Sequence, residues 1–314
     1  MEAIVNPHFD HGRVVWSDEY SGVYQPVAYD EQFDRQWELF LEKRAGFHHH
    51  AGVETKDRWI DERIADLTGE EGTIERRKFG ARGYRLLRLL RGRFDAPDRG
   101  SGGRLQLEPK FPIDFFRGKR CLDVGCGAGR WTRTLLALGA TVKSVDVSPS
   151  GLRSTRRFNP DVERLDLFEI ASARSDLHRA FDFTICWGVL MCVHTPKLAF
   201  ENVAATVKPG GHLYTMVYAP EGMHASPETL EQRRYYHREL RTIEERLDYA
   251  LELAGGTNNA IGYLDLLNTF YNWVVPQAVL RGWYRRCEFE VPLLLNAGEP
   301  AKCAYHHLGR KRAE

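Results

Sequence analysis

Three glycines alternate with other residues in the stretch CLDVGCGAGRWT, directly after a short apolar run. They are Gly125, Gly127 and Gly129, and glycines at a strand-to-helix turn let the backbone approach a ligand closely. A dinucleotide-binding turn reads G-x-G-x-x-G, but the third glycine of that pattern is replaced here by Arg130. The turn therefore predicts a ligand site that departs from the pyrophosphate-binding pattern.

Two aspartates accompany the turn. Asp123 lies two residues before Gly125, and Asp146 ends the next apolar run, 23 residues after Asp123. An acidic side chain about 20 residues beyond such a turn can accept hydrogen bonds from both ribose hydroxyls. The spacing therefore predicts that the ligand contains a nucleoside.

The elements that position these residues alternate between strand and helix from residue 113 onward. The predicted strands are KRCLDVG, TVKSVDV, VERLDLF, FDFTICWGV and HLYTMVY, followed by a C-terminal antiparallel hairpin of EVPLLLN and AYHHLGRK. The helices between them include SPSGLRSTRRFN, which Ser148 caps, and TPKLAFENVAATVKPGG. This order predicts an α/β fold: a Rossmann-like, doubly wound, seven-stranded sheet, mostly parallel with an antiparallel last strand.

Two segments stand outside this alternation. Residues 1–112 are aromatic-rich, then helical and charged, and end in the glycine-rich stretch DAPDRGSGGRLQ, so we expect an N-terminal cap. Residues 219–276 interrupt the alternation with polar helical sequence, so we expect a helical lid. The core domain is then formed by residues 113–218 together with 277–314.

Long blocks of the core, among them FFRGKRCLDVGCGAGRWTRTLLALGATVKSVDVSPSGLRSTRR and HTPKLAFENVAATVKPGGHLYTMVY, resemble class I S-adenosylmethionine-dependent methyltransferases of natural-product, glycan and other small-molecule pathways. The resemblance implies S-adenosyl-L-methionine as the cofactor, with its amino acid moiety against the glycine turn. The cofactor-binding candidates in the core are Asp123, Gly125, Cys126, Gly127, Gly129, Trp131, Asp146, Val147, Asp166, Leu167 and Trp187.

The same resemblance assigns particular roles to some residues. Asp166 would accept a hydrogen bond from the exocyclic amine of adenine. The segment AYDEQFDRQWELF is similar to a Q-F-x-x-x-W segment that folds over the cofactor, which adds Gln32, Phe33 and Trp37 as candidates. The chain reads GVLMCVHTP where relatives often read GVLHHTP, so this part of the acceptor pocket differs from theirs.

Methyl transfer from a sulfonium mainly requires in-line placement of the acceptor, so few catalytic side chains are needed. A hydroxyl or ring-nitrogen acceptor would also need a base. His194 follows the fourth predicted strand, and an unperturbed pKa near 6.5 suits proton removal, so it is the catalytic candidate. The alternative is that His194 caps the following helix or packs beside Trp187.

Composition excludes several classes of partner. The chain has 44 basic and 43 acidic residues, so no overall field attracts nucleic acid or a membrane. It shows no signal-peptide pattern, and its longest nearly apolar run, FTICWGVLMCV, is far shorter than a membrane helix. We therefore expect a soluble cytoplasmic protein without a membrane partner. No metal site is expected at His48–His50, because no acidic or cysteine partner stands at ligand spacing nearby.

Three functions remain open. The leading one is a methyltransferase acting on a small-molecule acceptor held between the sheet, the cap and the lid. The second is an RNA-modifying methyltransferase using the basic helix 76–93, in which Arg82, Arg85 and Arg88 recur every three residues; the alternative is that these arginines form a solvated surface. The third is a protein that binds the cofactor without transferring methyl.

Overall fold

The computed structural model describes residues 30–42, 57–94, 105, 107–170, 174–255, 260–299 and 302–313. Its centre is a seven-stranded sheet with the order β3-β2-β1-β4-β5-β7-β6. Strands β1 to β5 are parallel, and β7 runs antiparallel to both of its neighbours. The predicted doubly wound, mostly parallel sheet with an antiparallel last strand is thereby confirmed. The strands are β1 Arg120–Val124, β2 Thr141–Asp146, β3 Val162–Arg164, β4 Phe181–Trp187, β5 Val207–Tyr218, β6 Leu293–Leu294 and β7 Ala304–Arg310.

Helices pack on both faces of the sheet. In chain order the described helices are α1 Asp30–Glu42, α2 Asp57–Thr68, α3 Thr73–Phe94, α4 Arg130–Ala137, α5 Pro149–Thr155, α6 Pro196–Ala205, α7 Pro227–Arg238, α8 Ile243–Leu253, α9 Ala260–Leu267 and α10 Gln277–Arg286. Side chains alternate across a strand, so Leu122 and Val124 of β1 pack toward α6 and α10, while Cys121 packs toward α2 and α4. This two-sided burial explains why the central strands read as continuous apolar runs.

Some predicted boundaries were wrong. Strand β5 already begins at Val207, so the Pro-Gly-Gly stretch expected to end helix α6 lies within the strand. Of the stretch VERLDLF only Val162–Arg164 is a strand, and a short 3₁₀-helix at Leu167–Glu169 follows. The basic helix α3 is interrupted at Gly80, which has φ 69° and ψ 171°. None of the helices in the described part of the chain combines the length and apolarity needed to cross a membrane.

Helices α7, α8 and α9, which lie between β5 and α10 in the chain, form a helical insertion with an apolar cluster of its own. Leu39 of α1 belongs to the same cluster, so the insertion packs against the N-terminal helix. The fully buried Arg233 of α7 donates hydrogen bonds to backbone carbonyls that follow or end α9, including those of Leu266 (2.6 Å) and Thr269 (2.7 Å). These bonds satisfy carbonyls at the helix C-terminus, where a cation is favourable, and join α7 to α9.

Candidate active site

The three glycines of the turn after β1 all have positive φ, at 72° for Gly125, 51° for Gly127 and 93° for Gly129. This region favours glycine. A Cβ atom at Gly125 would lie 2.2 Å from Val189 Cγ2, and one at Gly127 would lie 2.3 Å from Trp37 Cζ2. Packing within the protein therefore already requires these glycines, in addition to any need for ligand access.

The two aspartates have different surroundings. Asp123 is buried below the turn and accepts a hydrogen bond from Thr132 Oγ1 (2.6 Å); burial raises its pKa to about 7. Asp146 accepts hydrogen bonds from the backbone N–H groups of Gly127 (2.7 Å) and Ser148 (2.8 Å), and burial raises its pKa. Since each carboxylate oxygen can accept two bonds, Asp146 can also accept bonds from a ligand.

A cavity of about 400 Å³ lies at the carboxyl ends of the parallel strands, where ligands bind in doubly wound sheets. Asp146 lines it beside the apolar side chains of Val147, Leu165 and Leu167. A carboxylate next to an apolar wall suits a nucleoside, whose ribose hydroxyls donate hydrogen bonds and whose base is flat and apolar on its faces.

Helix α1 closes one side of the cavity, with Gln36 and Trp37 among the lining residues. Its Asp34 accepts hydrogen bonds from Ser148 Oγ (2.8 Å) and from the N–H of Ser150 (2.6 Å), at the start of α5. A carboxylate at a helix N-terminus is favourable. Helix α1 is therefore anchored next to the end of β2, with Trp37 lying on the glycine turn.

The side of the cavity near β4 and β5 is mainly apolar, lined by Cys192, Val193 and Met216. His224 and Tyr218 also line it, with their rings stacked at a centroid distance of 3.3 Å. The Nδ1–H of His224 donates to Asn272 Oδ1 (3.1 Å), which fixes the tautomer with Nε2 unprotonated. Burial and the charge of Arg233 lower the pKa of His224 to about 3, so the imidazole is neutral at physiological pH.

Two charged side chains from distant parts of the chain also line the cavity. Arg130 begins α4, and its Cζ lies 5.2 Å from the centroid of the Trp187 ring. Asp265 of α9 is exposed at the cavity and accepts a hydrogen bond from Gln36 Nε2 (3.3 Å). The bond between Gln36 and Asp265 joins α1 to the helical insertion at the cavity.

The structure brings most of the candidates from the sequence to this cavity. The lining includes Phe33, Trp37, Gly125, Cys126, Trp131, Asp146, Val147, Leu167 and Trp187. It does not include Asp123, which lies below the turn, nor Gly127 and Gly129 of the turn itself. Gln32 belongs to α1, but its side chain lies outside the described residues.

Asp166 and His194 are also placed away from the cavity lining. Asp166 caps the short helix after β3 by accepting a hydrogen bond from the N–H of Phe168 (2.9 Å). The His194 ring stacks on Phe168 with a centroid distance of 4.2 Å, and its Nδ1 lies 2.7 Å from Thr195 Oγ1. Burial lowers the pKa of His194 despite the nearby charge of Asp166. The His194 ring therefore packs on Phe168, whereas the alternative from the sequence was packing beside Trp187.

The remaining candidates from the sequence lie elsewhere. Arg82, Arg85 and Arg88 are exposed on α3, and Arg88 forms an ion pair with Glu71 (3.1 Å). His48–His50 lie outside the described residues. Within the described ranges, no group of three or more histidine, cysteine and acidic side chains is arranged to hold a metal ion.

The doubly wound sheet, the glycine turn after β1 and the carboxylate after β2 together define an α/β protein that binds a nucleoside-containing cofactor. The sequence model of the methyltransferase domain family matches residues 101–277, more than half of the chain. The chain belongs to this family, that of the class I S-adenosylmethionine-dependent methyltransferases, and the cofactor of the family is S-adenosyl-L-methionine.

Curated relatives match a shorter part of the chain. The mitochondrial ubiquinone biosynthesis O-methyltransferase of Schizosaccharomyces pombe is 33% identical over 102 residues, which are 31% of this chain and 37% of that protein. Its counterpart from Coxiella burnetii is 35% identical over 102 residues, 31% of this chain and 43% of that protein. The chain thus matches less than half the length of these relatives. A solved methyltransferase from Methanosarcina mazei is 18% identical, with a TM-score of 0.42 over 63% of this chain and 94% of that one.

The cavity residues fit this cofactor. Asp146 has free acceptor capacity at the end of β2, as a ribose requires. Trp131 lines the cavity, and its buried Nε1 has no hydrogen-bond partner among the described residues. Since buried polar atoms are normally paired, this donor is consistent with a polar ligand group at the wall of the cavity.

Besides several apolar residues, the sequence analysis missed five lining residues with polar or charged side chains: Gln36, Arg130, Tyr218, His224 and Asp265. Arg130 carried a signal, because it stands where a dinucleotide turn would have its third glycine. Gln36 lies within the segment that was expected to cover the cofactor. Tyr218 ends β5, whereas His224 and Asp265 follow it in the insertion, and no spacing pattern connects any of these three with the glycine turn.

Proposed function

We propose that the protein methylates a hydroxyl group of a small, largely apolar acceptor, and that His224 accepts the proton of that hydroxyl. The observation that carries the proposal is the His224–Asn272 hydrogen bond at the side of the cavity near β4 and β5. It leaves Nε2 unprotonated, and His224 lines the cavity together with the apolar residues Cys192, Val193 and Met216. The similarity to proteins named O-methyltransferases supports oxygen as the methylated atom.

S-adenosyl-L-methionine supplies a sulfonium methyl group that is already strongly electrophilic. The protein then has to hold the hydroxyl in line with that methyl group, and such positioning can lower the barrier by about 7–11 kcal/mol. As the methyl group passes to the oxygen and S-adenosylhomocysteine leaves as a neutral thioether, His224 Nε2 would accept the hydroxyl proton. The lowered pKa of His224 keeps Nε2 available, and a weak base suffices because an alkylated hydroxyl is far more acidic than an imidazolium.

For the cofactor, we propose that Asp146 binds the ribose hydroxyls and that Val147, Leu165 and Leu167 contact the base. Phe33 and Trp37 of α1 cover it, in keeping with a cap formed by residues 1–112. The helical insertion of residues 219–276 serves as the lid, and residues 113–218 with 277–314 form the catalytic core. The bond between Gln36 and Asp265 supports the joint action of cap and lid.

Two other readings are less favoured. An RNA acceptor at α3 is opposed by local charge pairing, since Arg88 pairs with Glu71 and Lys78 pairs with Asp57. His194 stays a second candidate for the base, but its ring stacks on Phe168 outside the cavity lining. A cytoplasmic location also stays a prediction.

The test is transfer of labelled methyl from S-adenosyl-L-methionine to a panel of phenols, hydroxylated quinols, sugars and short RNAs. We expect a hydroxylated small molecule to accept methyl, and His224→Ala to lower kcat by about 10²- to 10⁴-fold, the range of a general base. The exposed His178 provides a matched control, and His178→Ala should retain the wild-type rate.

The same assay can overturn each part of the proposal. Labelling of RNA alone would reject the small-molecule acceptor. A loss of rate in His194→Ala but not in His224→Ala would move the base to His194. Because the pKa of His224 is about 3, the wild-type rate should not fall through a pKa near 6.5 on acidification. If the wild-type rate does fall on acidification with a pKa near 6.5, and the rate of His194→Ala does not, the base is His194.

A further inference from the structure

We propose that Asp265 binds the α-ammonium group of S-adenosyl-L-methionine and that Arg130 binds its carboxylate, so that the helical insertion contacts the amino acid moiety of the cofactor directly. This inference concerns cofactor recognition and does not depend on the proposed acceptor.

Asp265 is linked to the glycine turn through helix α1 and Arg130. Its carboxylate accepts a hydrogen bond from Gln36 Nε2. The next residue of α1, Trp37, lies against Gly127. The charge of Arg130, at the start of the helix that follows the turn, acts on Asp265. Asp265 therefore lies on the side of the cavity where the amino acid moiety meets the glycine turn, although it also influences Cys192 and Tyr218.

The carboxylate of Asp265 also has unused acceptor capacity at the cavity. Its side chain is exposed and lines the cavity. Among the described residues, the amide of Gln36 is the only hydrogen-bond donor to its side chain. A carboxylate has about four acceptor positions, so several remain for a ligand. An ammonium group in the cavity would supply donors for these positions together with a positive charge.

The charges of the lining also match those of the cofactor. The acidic and basic side chains among the described lining residues are Asp146, Asp265 and Arg130, and His224 is neutral. With both carboxylates ionised, the lining carries one net negative charge. S-adenosyl-L-methionine carries a sulfonium, an ammonium and a carboxylate, which make one net positive charge. The pair of Arg130 and Asp265 also presents one charge of each sign, as the zwitterionic end of the cofactor requires.

The experiment is calorimetric titration of three probes that differ at the relevant groups. S-adenosyl-L-methionine has both sulfonium and amino acid, S-adenosylhomocysteine has the amino acid without the sulfonium, and 5′-methylthioadenosine has neither. We expect Asp265→Asn to weaken the first two by similar factors of about 10- to 100-fold, as for a lost hydrogen bond to a charged group, and to leave the third unchanged. Arg130→Gln should give the same pattern.

Asp248→Asn is the matched control, because Asp248 is exposed on α8 of the same insertion; its affinities should equal those of the wild type. Unchanged binding of 5′-methylthioadenosine also shows that a variant is folded. The proposal is overturned if Asp265→Asn weakens all three probes equally, which indicates a structural role. It is also overturned if only S-adenosyl-L-methionine is weakened, which places Asp265 at the sulfonium, or if no probe is weakened.

Discussion

Replacement of Gly127 by alanine tests whether the glycine turn and helix α1 form one packed unit. The new Cβ atom would lie 2.3 Å from Trp37 Cζ2, 2.9 Å from Trp37 Cε2 and 3.0 Å from Trp37 Cη2. These atoms belong to a rigid ring, which can move only by shifting α1 or by changing its rotamer. The substitution should therefore displace Trp37 from the cavity wall.

The expected magnitude has two parts. At a φ of 51°, alanine adopts the left-handed region at a cost of about 1–2 kcal/mol. Inserting a methyl group into a packed site adds about 1–3 kcal/mol. Gly127→Ala should thus lower the free energy of unfolding by about 2–5 kcal/mol, unless α1 moves away and the loss appears instead as weaker cofactor binding.

Gly210 provides a matched control that isolates the steric part. Its φ is 74°, also in the left-handed region, but nothing lies within 4 Å of the position of its Cβ. Gly210→Ala should therefore lower the free energy of unfolding by only the conformational part, about 1–2 kcal/mol. The double variant Gly127→Ala/Trp37→Ala should recover much of the loss caused by the clash.

The assays are urea unfolding and calorimetric binding of S-adenosylhomocysteine, applied to the wild type and to the three variants. Equal changes in both measurements for Gly127→Ala and Gly210→Ala would refute the reasoning, because they would show that Trp37 does not lie on the turn. A double variant no better than Gly127→Ala would locate the clash at another side chain.

Three further predictions concern the cofactor, acid stability and the basic helix. Asp146→Ala should weaken S-adenosyl-L-methionine by about 1.5–3 kcal/mol in calorimetry, because it removes acceptors for the ribose hydroxyls; unchanged affinity would mean that the ribose is bound elsewhere. Burial lowers the pKa of three histidines to about 3 in the folded protein, namely His224, His237 and His306. In the unfolded chain their pKa is near 6.5, so below pH 6.5 the unfolded chain takes up protons that the folded protein does not. The free energy of unfolding is therefore highest above pH 6.5 and decreases as the pH falls toward 3. Urea unfolding should show up to about 2 kcal/mol less stability per histidine at pH 5 than at pH 6.5, and a flat profile would contradict these pKa values. Replacing Arg82, Arg85 and Arg88 together with glutamine should leave kcat, KM and their salt dependence unchanged, since these side chains are exposed and away from the cavity lining; a steep rise in KM would instead support an anionic acceptor.

The cofactor half of the site was predictable because it is local in sequence. Gly125 and Asp146 end neighbouring parallel strands, and the carboxyl ends of such strands meet at one edge of a sheet. A spacing pattern therefore carries three-dimensional information for these residues. The same logic does not bring Asp166 into the cavity lining, because β3 ends at Arg164 and the aspartate caps the short helix that follows. An acidic residue after a strand can either bind a ligand or cap the next helix, and the spacing in the sequence does not distinguish the two roles.

The half of the site toward β4 and β5 depends on packing between distant segments, which no local pattern encodes. His194 follows the fourth strand as expected, yet Leu190, Met191 and Cys192 form a short buried helix before it, and the His194 ring packs on Phe168. The neutral imidazole that lines the cavity is His224, six residues beyond the end of β5. Its tautomer is set by Asn272, 48 residues away. Asn272 is in turn held near the end of α9, through its amide and the carbonyl of Leu266. The carbonyl of Leu266 also accepts from the buried Arg233. A chemical role for His224 therefore depends on the whole insertion being folded, which explains why a histidine without a motif can be better placed for catalysis than one that follows a recognisable strand.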